Sequence, residues 1–411
     1  MVEKILKNLT HARSAYVVIN VMLSAVGLVR SFFCLRILGF QELGSLTIFQ
    51  NLAFIGSLFQ LGLISGAYRI YTLDESQSNN LHNTIVSFLL AVLSAFSAVA
   101  FIAQFFKHDI TGVLVFSGIF LGVLALYSNW LISTFLARSK LKELNKINLL
   151  SMVVGLATIL LIYQFGLTGA ILSILAQPLS FIAISLVRYP ALRPTKLMLS
   201  KDLISKSLSY GFIPFVAGIL FFLNAQIERW SIAYFLNTES LGKFFLATLF
   251  STIFILVPNS LNNIFFPKAL NFYANKDYDL LKMALKKFYV LLVAYDLVCV
   301  ASTLLFLRPL VSMMFPNHIP GIEFVYTILP GLVAVSFVIP IFMTFNFSLT
   351  LKPILVGYIL STIIMLILMT ISIRSGSFSI STVALIESIS NACLLCYAGV
   401  AYSIYYRKIW T

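Results

Sequence analysis

Charge is the scarcest property of this sequence. Only 10% of its 411 residues are Asp, Glu, Lys or Arg, against roughly 25% in an ordinary soluble domain. So few charges cannot clothe a globular surface in water, which excludes a soluble enzyme. Histidine occurs four times (His11, His82, His108 and His318), never inside an apolar run or beside clustered acids, so no metal site is expected. Cysteine is equally rare. Cys34, Cys299, Cys393 and Cys396 lie in apolar surroundings, where buried structural roles are expected. Cys393-Leu-Leu-Cys396 has the spacing of a redox or metal pair but lacks a second pair and a nearby histidine. No nucleophilic triad or phosphate-cradling glycine loop occurs. The chain therefore reads as a non-enzyme with no catalytic residue and no cofactor.

Apolar residues fill the space that charge leaves. They make up 60% of the chain, with mean hydropathy +0.98, and Phe occurs 37 times and Tyr 18 times. A helix needs about 20 apolar residues to cross the hydrocarbon core of a bilayer. Runs of that size lie at 14–38, 45–71, 84–106, 111–136, 147–165 and 168–187 in the first half. In the second half they lie at 209–236, 243–266, 285–306, 323–347, 353–373 and 380–404. No stretch is left for a water-soluble domain. A β-barrel would alternate apolar and polar residues, whereas Met152 to Ile162 is apolar throughout except for Thr158. The expected fold is an all-α polytopic membrane protein of about 12 transmembrane helices. The first run begins near Ser14 and lacks a small-residue cleavage site, so no cleavable signal is expected.

The net charge of +14 is read as topology. Of the 28 basic residues, 21 fall on one side of the twelve runs and four (Lys107, Lys243, Arg308 and Arg374) on the other. By the positive-inside bias both termini are expected in the cytoplasm, and nucleic acid is not an expected partner. Two basic connections, 188–206 and 268–287, are longer than the rest. In the first, Leu197, Leu199, Leu203, Ile204 and Leu208 interleave with Lys201, Asp202 and Lys206. That pattern suits a short amphipathic helix on an anionic leaflet, or a solvated linker.

The halves repeat. A shift of 198 residues aligns Leu38-Gly39-Phe40-Gln41-Glu42-Leu43-Gly44 with Leu236-Asn237-Thr238-Glu239-Ser240-Leu241-Gly242, and sets Arg30 opposite Glu228. A parallel repeat of six plus six spans follows, with lobes expected at 1–195 and 196–411.

The residues from Arg36 to Gly44, followed by Gln50, Leu61-Gly62-Leu63 and Gly66, resemble the opening of polysaccharide transporters. Glu228-Arg229 before Tyr234-Phe235-Leu236, then Leu241-Gly242 and Phe266-Pro267-Lys268, resembles the start of their second half. These are the O-antigen (Wzx-type) flippases of the multidrug/oligosaccharidyl-lipid/polysaccharide exporter superfamily. Many members carry Asp where this chain has Glu228. The resemblance implies transfer of an undecaprenyl-diphosphate-linked oligosaccharide across a bacterial inner membrane, by alternating access between two six-helix lobes. The implied partners are that lipid-linked substrate, membrane lipid and other polysaccharide assembly proteins.

Ionisable groups inside spans cost about 2.5–3.5 kcal/mol on insertion scales and are functional candidates by default. Arg30 and Arg36 lie in the first run, Glu228 and Arg229 in the seventh, Asp296 in the ninth and Glu387 in the twelfth. A diphosphate needs positive charge in a low-dielectric cavity, and guanidinium offers it paired donors. Arg30 and Arg229, at similar depth in the two halves, are the first candidates for substrate binding, with Arg36 third. The alternative is that each pairs with an acid, such as Arg30 with Asp296, and locks helices together. Glu228 shares a helix face with Asn224 and Ser231, a stripe that suits either sugar hydroxyls or interhelical hydrogen bonds. Asp296 is the first candidate for a coupling carboxylate, with Glu228 and Glu387 next. Asn259, Asn262 and Asn263 beside Pro258 suit repair of carbonyls freed at a kink. A drug/cation antiporter of the same superfamily would need a compact acidic cavity in place of arginines. A membrane polymerase would need a large external loop, and the longest here, 307–321, is short.

Overall fold

The computed structural model describes residues 2–73, 78–106, 111–138, 140–348 and 351–410, and among them every regular element is helical. The first half holds α1 (Val2–Ile37), α2 (Phe40–Leu58), α3 (Leu63–Leu73), α4 (Ser78–Phe106), α5 (Thr111–Ala137), α6 (Leu141–Ala157) and α7 (Leu161–Arg188). The second holds α8 (Lys201–Phe235), α9 (Thr238–Lys243), α10 (Phe245–Ala274), α11 (Tyr278–Met314), α12 (Ile322–Phe347), α13 (Lys352–Arg374) and α14 (Ile380–Trp410). Backbone groups have no water to bond in hydrocarbon, so an apolar chain of this composition satisfies them within helices.

Among the described residues, eight helical segments are long and apolar enough to cross a membrane. Counting the bent pair Phe40–Leu58 and Leu63–Tyr71 as one broken span, with 53° between its parts, makes nine. The expected runs at 84–106 and 209–236 fall on α4 and α8, outside those nine. Two further runs, 147–165 and 168–187, share the 48-residue segment Leu141–Arg188. At 1.5 Å per residue that segment is more than twice as long as a ~30 Å hydrocarbon core is thick. It reverses at Gly166, whose φ of +53° lies in the left-handed region that glycine adopts without strain. A Cβ on Gly169 would stand 2.0 Å from the Leu161 carbonyl oxygen, so the reversal is tight.

The repeated turn is built twice from different chemistry. In the first half Glu42 reaches back, its Oε2 accepting from the Gly39 backbone N–H at 3.0 Å. In the second, the Asn237 side chain reaches forward, its Oδ1 accepting from the Ser240 N–H at 2.7 Å. These are the two complementary halves of a capping box, each meeting one orphan donor at a helix start. Leu43 and Leu241, paired by the 198-residue shift, are both fully buried.

The chain divides into two compact units, Met1–Ile219 and Leu220–Thr411, and α8 runs through the division. In the first unit, Leu63, Ala67, Ile70, Leu81, Ile85, Leu126 and Trp130 form a core between α3, α4 and α5. Leu203, Ile204 and Leu208 pack onto that core. Of the two readings of this segment, neither describes the residues from Lys201 on, while Leu197 and Leu199 before them are exposed. Residues from Lys201 onward are the first turns of α8, and their apolar face meets protein. Glycine makes that contact possible: a Cβ on Gly66 would stand 1.7 Å from the Ser207 carbonyl oxygen, and one on Gly211 1.9 Å from that of Gly62. In the second unit α12 is the most enclosed span, with 72% of its apolar window buried. Gly331 of α12 lies against Ser388 of α14, whose hydroxyl donates to the Thr327 carbonyl at 2.6 Å.

Candidate functional site

Arg30 is the charged centre of the first unit. Its side chain is buried, with the residue 8% exposed. Nε donates to Ser173 Oγ at 3.0 Å and one terminal nitrogen donates to Gln177 Oε1 at 3.1 Å, both on α7. Ser173 and Gln177 are four residues apart, so one helix face presents both acceptors. These partners are neutral. A guanidinium has five N–H donors and no acceptor, so the two bonds leave further donors for a ligand. The acid that the sequence left open as a partner, Asp296, has a hydroxyl partner within the second unit. It is buried on α11, where it accepts from Ser336 Oγ of α12. Its second oxygen is also buried and has no hydrogen-bond partner among the described residues.

The second unit holds a different cluster. Glu228 of α8 is buried and lies beside Glu387 of α14. Arg229 lies within electrostatic reach of both acids. Five of the six embedded charges thus fall into three settings: Arg30 with neutral acceptors, Asp296 with a hydroxyl, and Glu228, Glu387 and Arg229 together. Arg36, the remaining candidate from the first run, is exposed in the last turn of α1, a favourable end for a cation.

Asn224 and Ser231 do not join Glu228 in a polar face. Asn224 donates to Ser361 Oγ at 2.8 Å and accepts from Thr362 Oγ1 at 2.7 Å, and Ser231 donates to Met369 Sδ at 3.3 Å. All three partners are on α13, and Ser361 also bonds Ser390 of α14. These residues tie helices together, the second of the two roles the stripe allowed. The asparagines of α10 depart from expectation. Among the described residues Asn259, Asn262 and Asn263 bond no carbonyl, and α10 continues helical through Pro258. Cys396 is exposed rather than buried, while Cys34 is buried, and all four cysteines are free. Among the described residues no three His, Cys, Asp or Glu side chains gather as metal ligands would.

Sequence reasoning missed Ser173, Gln177 and Ser336. Each is a lone polar side chain in an apolar run, and the i, i+4 spacing of Ser173 and Gln177 was the available signal.

No protein-family model matches the chain, and a comparison with curated protein sequences finds no match. Solved structures do match its fold. An inward-facing multidrug resistance MATE transporter of the MOP superfamily superposes with TM-score 0.69 at 15% identity, covering 94% of each chain. A lipid II flippase, MurJ, in an inward closed conformation gives TM-score 0.70 at 13% identity, covering 96% of this chain and 89% of its own. A MATE transporter variant from Vibrio cholerae gives 0.59 at 14% identity, covering 99% of both. At these identities the likeness is one of fold, a multi-pass helical fold shared with transporters and a flippase.

Proposed function

We propose that this protein is a flippase that moves an undecaprenyl-diphosphate-linked oligosaccharide, an O-antigen or related surface-polysaccharide repeat unit, across a bacterial inner membrane. The observation that carries this reading is the buried Arg30 guanidinium, held by two neutral acceptors with donors left over. A buried cation without a protein anion is stabilised by an anionic ligand, and a diphosphate offers oxygens at the spacing a guanidinium bonds. Arg229 supplies a second cation, with Glu228 and Glu387 beside it. The fold shared with a lipid II flippase supports a lipid-linked substrate. In this reading the chain is a transporter and not an enzyme, both termini are cytoplasmic, and other assembly proteins receive the flipped unit. Asp296 and the Glu228–Glu387 pair are the groups proposed to couple transport to a proton or cation gradient.

The second reading, a drug/cation antiporter, is favoured by one observation. Glu228, buried, and Glu387, half-buried, form a compact acidic pair of the kind such a transporter would use, with Arg229 near both.

The deciding experiment deletes the gene in a strain whose surface polysaccharide depends on it. Undecaprenyl-diphosphate-linked repeat units and finished polymer are then quantified. Single units accumulating on the cytoplasmic leaflet, with polymer lost, support the flippase. Normal polymer with raised sensitivity to cationic drugs supports the antiporter. Unpolymerised units on the outer leaflet point instead to a polymerase.

A further inference from the structure

A second basic site lies in the first unit where α5 ends, α6 begins and α7 ends. It is a cavity of about 180 Å³, several times the ~30 Å³ share of one water, whose lining among the described residues includes Arg138, Lys140 and Arg188 but no acid. Glu143 of α6 lies within electrostatic reach of the lining Tyr189. Its shape is fixed by backbone and rings. The Lys140 N–H donates to the Phe135 carbonyl at 2.9 Å and closes the end of α5, and the Leu192 N–H donates to that of Tyr189 at 2.8 Å just past α7. Phe135 and Tyr189 meet edge to face with centroids 5.2 Å apart, and Lys140 Nζ stands 5.9 Å from the Tyr189 ring.

Arg138 is the informative member. Its guanidinium lies over the Tyr71 ring at 5.4 Å, and its Nε is buried with no hydrogen-bond partner among the described residues. A basic residue that merely obeyed the topological charge bias would extend its head into water. This one is held against protein with a donor unmet, and Lys140 and Arg188 line the same hollow.

We infer that this cavity binds a phosphate group, and specifically the phosphate-bearing headgroup of an anionic phospholipid. Two guanidiniums and an ammonium match the charge and the acceptor geometry of a phosphodiester. Basic pockets between helices at a membrane face take such headgroups. The inference is independent of the transport reading, because none of these residues belongs to the Arg30 or Glu228 settings.

The test uses the full chain in nanodiscs of phosphatidylcholine with a minor share of phosphatidylglycerol, and native mass spectrometry to count retained lipid. The variants are Arg138→Gln/Arg188→Gln, Arg188→Gln alone, and Lys286→Gln, an exposed cation on α11, as the charge control. Arg188 is exposed, so its single variant remains informative if the double variant folds poorly. In the expected result the double variant retains phosphatidylglycerol about tenfold less well, Arg188→Gln falls between it and the parent, and Lys286→Gln matches the parent. A parallel arm measures thermal shift with inorganic phosphate. A phosphate shift that Arg188→Gln abolishes, without lipid retention, keeps the phosphate site and assigns it to a free anion. Equal lipid retention in all variants with no phosphate shift overturns the inference, as does equal loss in the Lys286→Gln control.

Discussion

Arg30 and Glu228 stand 198 residues apart at matching positions of the repeated sequence and are both buried; Arg30 bonds Ser173 and Gln177 of α7, and Glu228 lies beside Glu387 of α14. Matching positions therefore carry opposite charges. In the first half the partners are a hydroxyl and an amide, and in the second a carboxyl. Among the described residues the first setting pairs no acid with Arg30, and the second has two acids to one arginine. Under the proposed function, that asymmetry would place the anionic substrate with Arg30 and the coupling proton or cation with the acids.

Arg30→Lys is expected to keep the charge and lose the two-point contact with Ser173 and Gln177, because an ammonium is a single point donor. Polymer output in the deletion strain should fall at least tenfold, which corresponds to about 1.4 kcal/mol. Full complementation by Arg30→Lys at normal protein level would remove paired phosphate contact from the account. Ser173→Ala tests the support: it leaves a buried guanidinium donor unmet, and thermal unfolding in detergent should show a loss of about 1–3 kcal/mol.

Glu228→Gln keeps a group that can both donate to and accept from Glu387, so the protein should fold and reach the membrane normally. Transport should lose its response to a collapsed proton gradient if this pair carries the coupling. If Asp296 carries it instead, Asp296→Asn gives that loss and Glu228→Gln behaves as the parent. Unchanged gradient sensitivity in both variants would exclude both sites.

The crossing of α3 and α8 predicts a sharp contrast among glycines. Gly66→Ala must displace the Ser207 carbonyl and Gly211→Ala that of Gly62. Overpacking of this kind costs about 1–3 kcal/mol or more. Gly218 of the same helix α8 has nothing within 4 Å of a Cβ, so Gly218→Ala should be neutral or gain up to about 1 kcal/mol in helix propensity. Fluorescence-detected size-exclusion after heating would rank the three.

His82 makes stability depend on pH. It precedes the apolar run of α4, and its Nδ1 accepts from Trp130 Nε1 at 2.9 Å. Burial pushes it from the ordinary 6.5 down to about 4, with repulsion from Arg138 adding to the shift. In the folded protein it stays neutral between those values, while the unfolded chain binds a proton. Its contribution is thus complete above pH ~6.5 and is lost as pH falls toward ~4, about 3 kcal/mol in all. His82→Asn keeps an acceptor for Trp130 and cannot titrate. Its melting temperature should be flatter across that range than the parent's, and parallel profiles would contradict the assignment.

Much of the fold was legible because lipid imposes one rule, long apolar helices, that run length alone reveals. The repeat was legible at its turn, since Leu43 and Leu241 are buried alike while Glu42 and Asn237 cap by opposite routes. The site was legible only in its charges. Arg30 announced itself by the cost of burying it, but its partners Ser173 and Gln177 are ordinary polar residues in an apolar run. The break between the runs 147–165 and 168–187 was legible and falls at Gly166, but nothing in the sequence showed that the second run returns past α1 to meet Arg30. In the segment 197–208 Leu203, Ile204 and Leu208 meet protein, while Leu197 and Leu199 are exposed before α8 begins. The sequence hid that difference because a helix face that meets protein and one that meets lipid carry the same pattern of leucines. Asn224 was ambiguous for a similar reason, since an amide suits a sugar as well as it suits Ser361 and Thr362.

The enclosure of α12 has a consequence for how the protein is made. Hydrophobic enough to partition into lipid as soon as it leaves the translocon, α12 has its Gly331 notch shaped to receive α14, which is synthesised later. Until α14 arrives the notch faces acyl chains, and the Ser388 hydroxyl has no Thr327 carbonyl to bond. The second unit therefore completes its packing only after α13 and α14 have been inserted, and a ribosome stalled between α12 and α14 would leave a membrane-embedded but unassembled half for quality control to find.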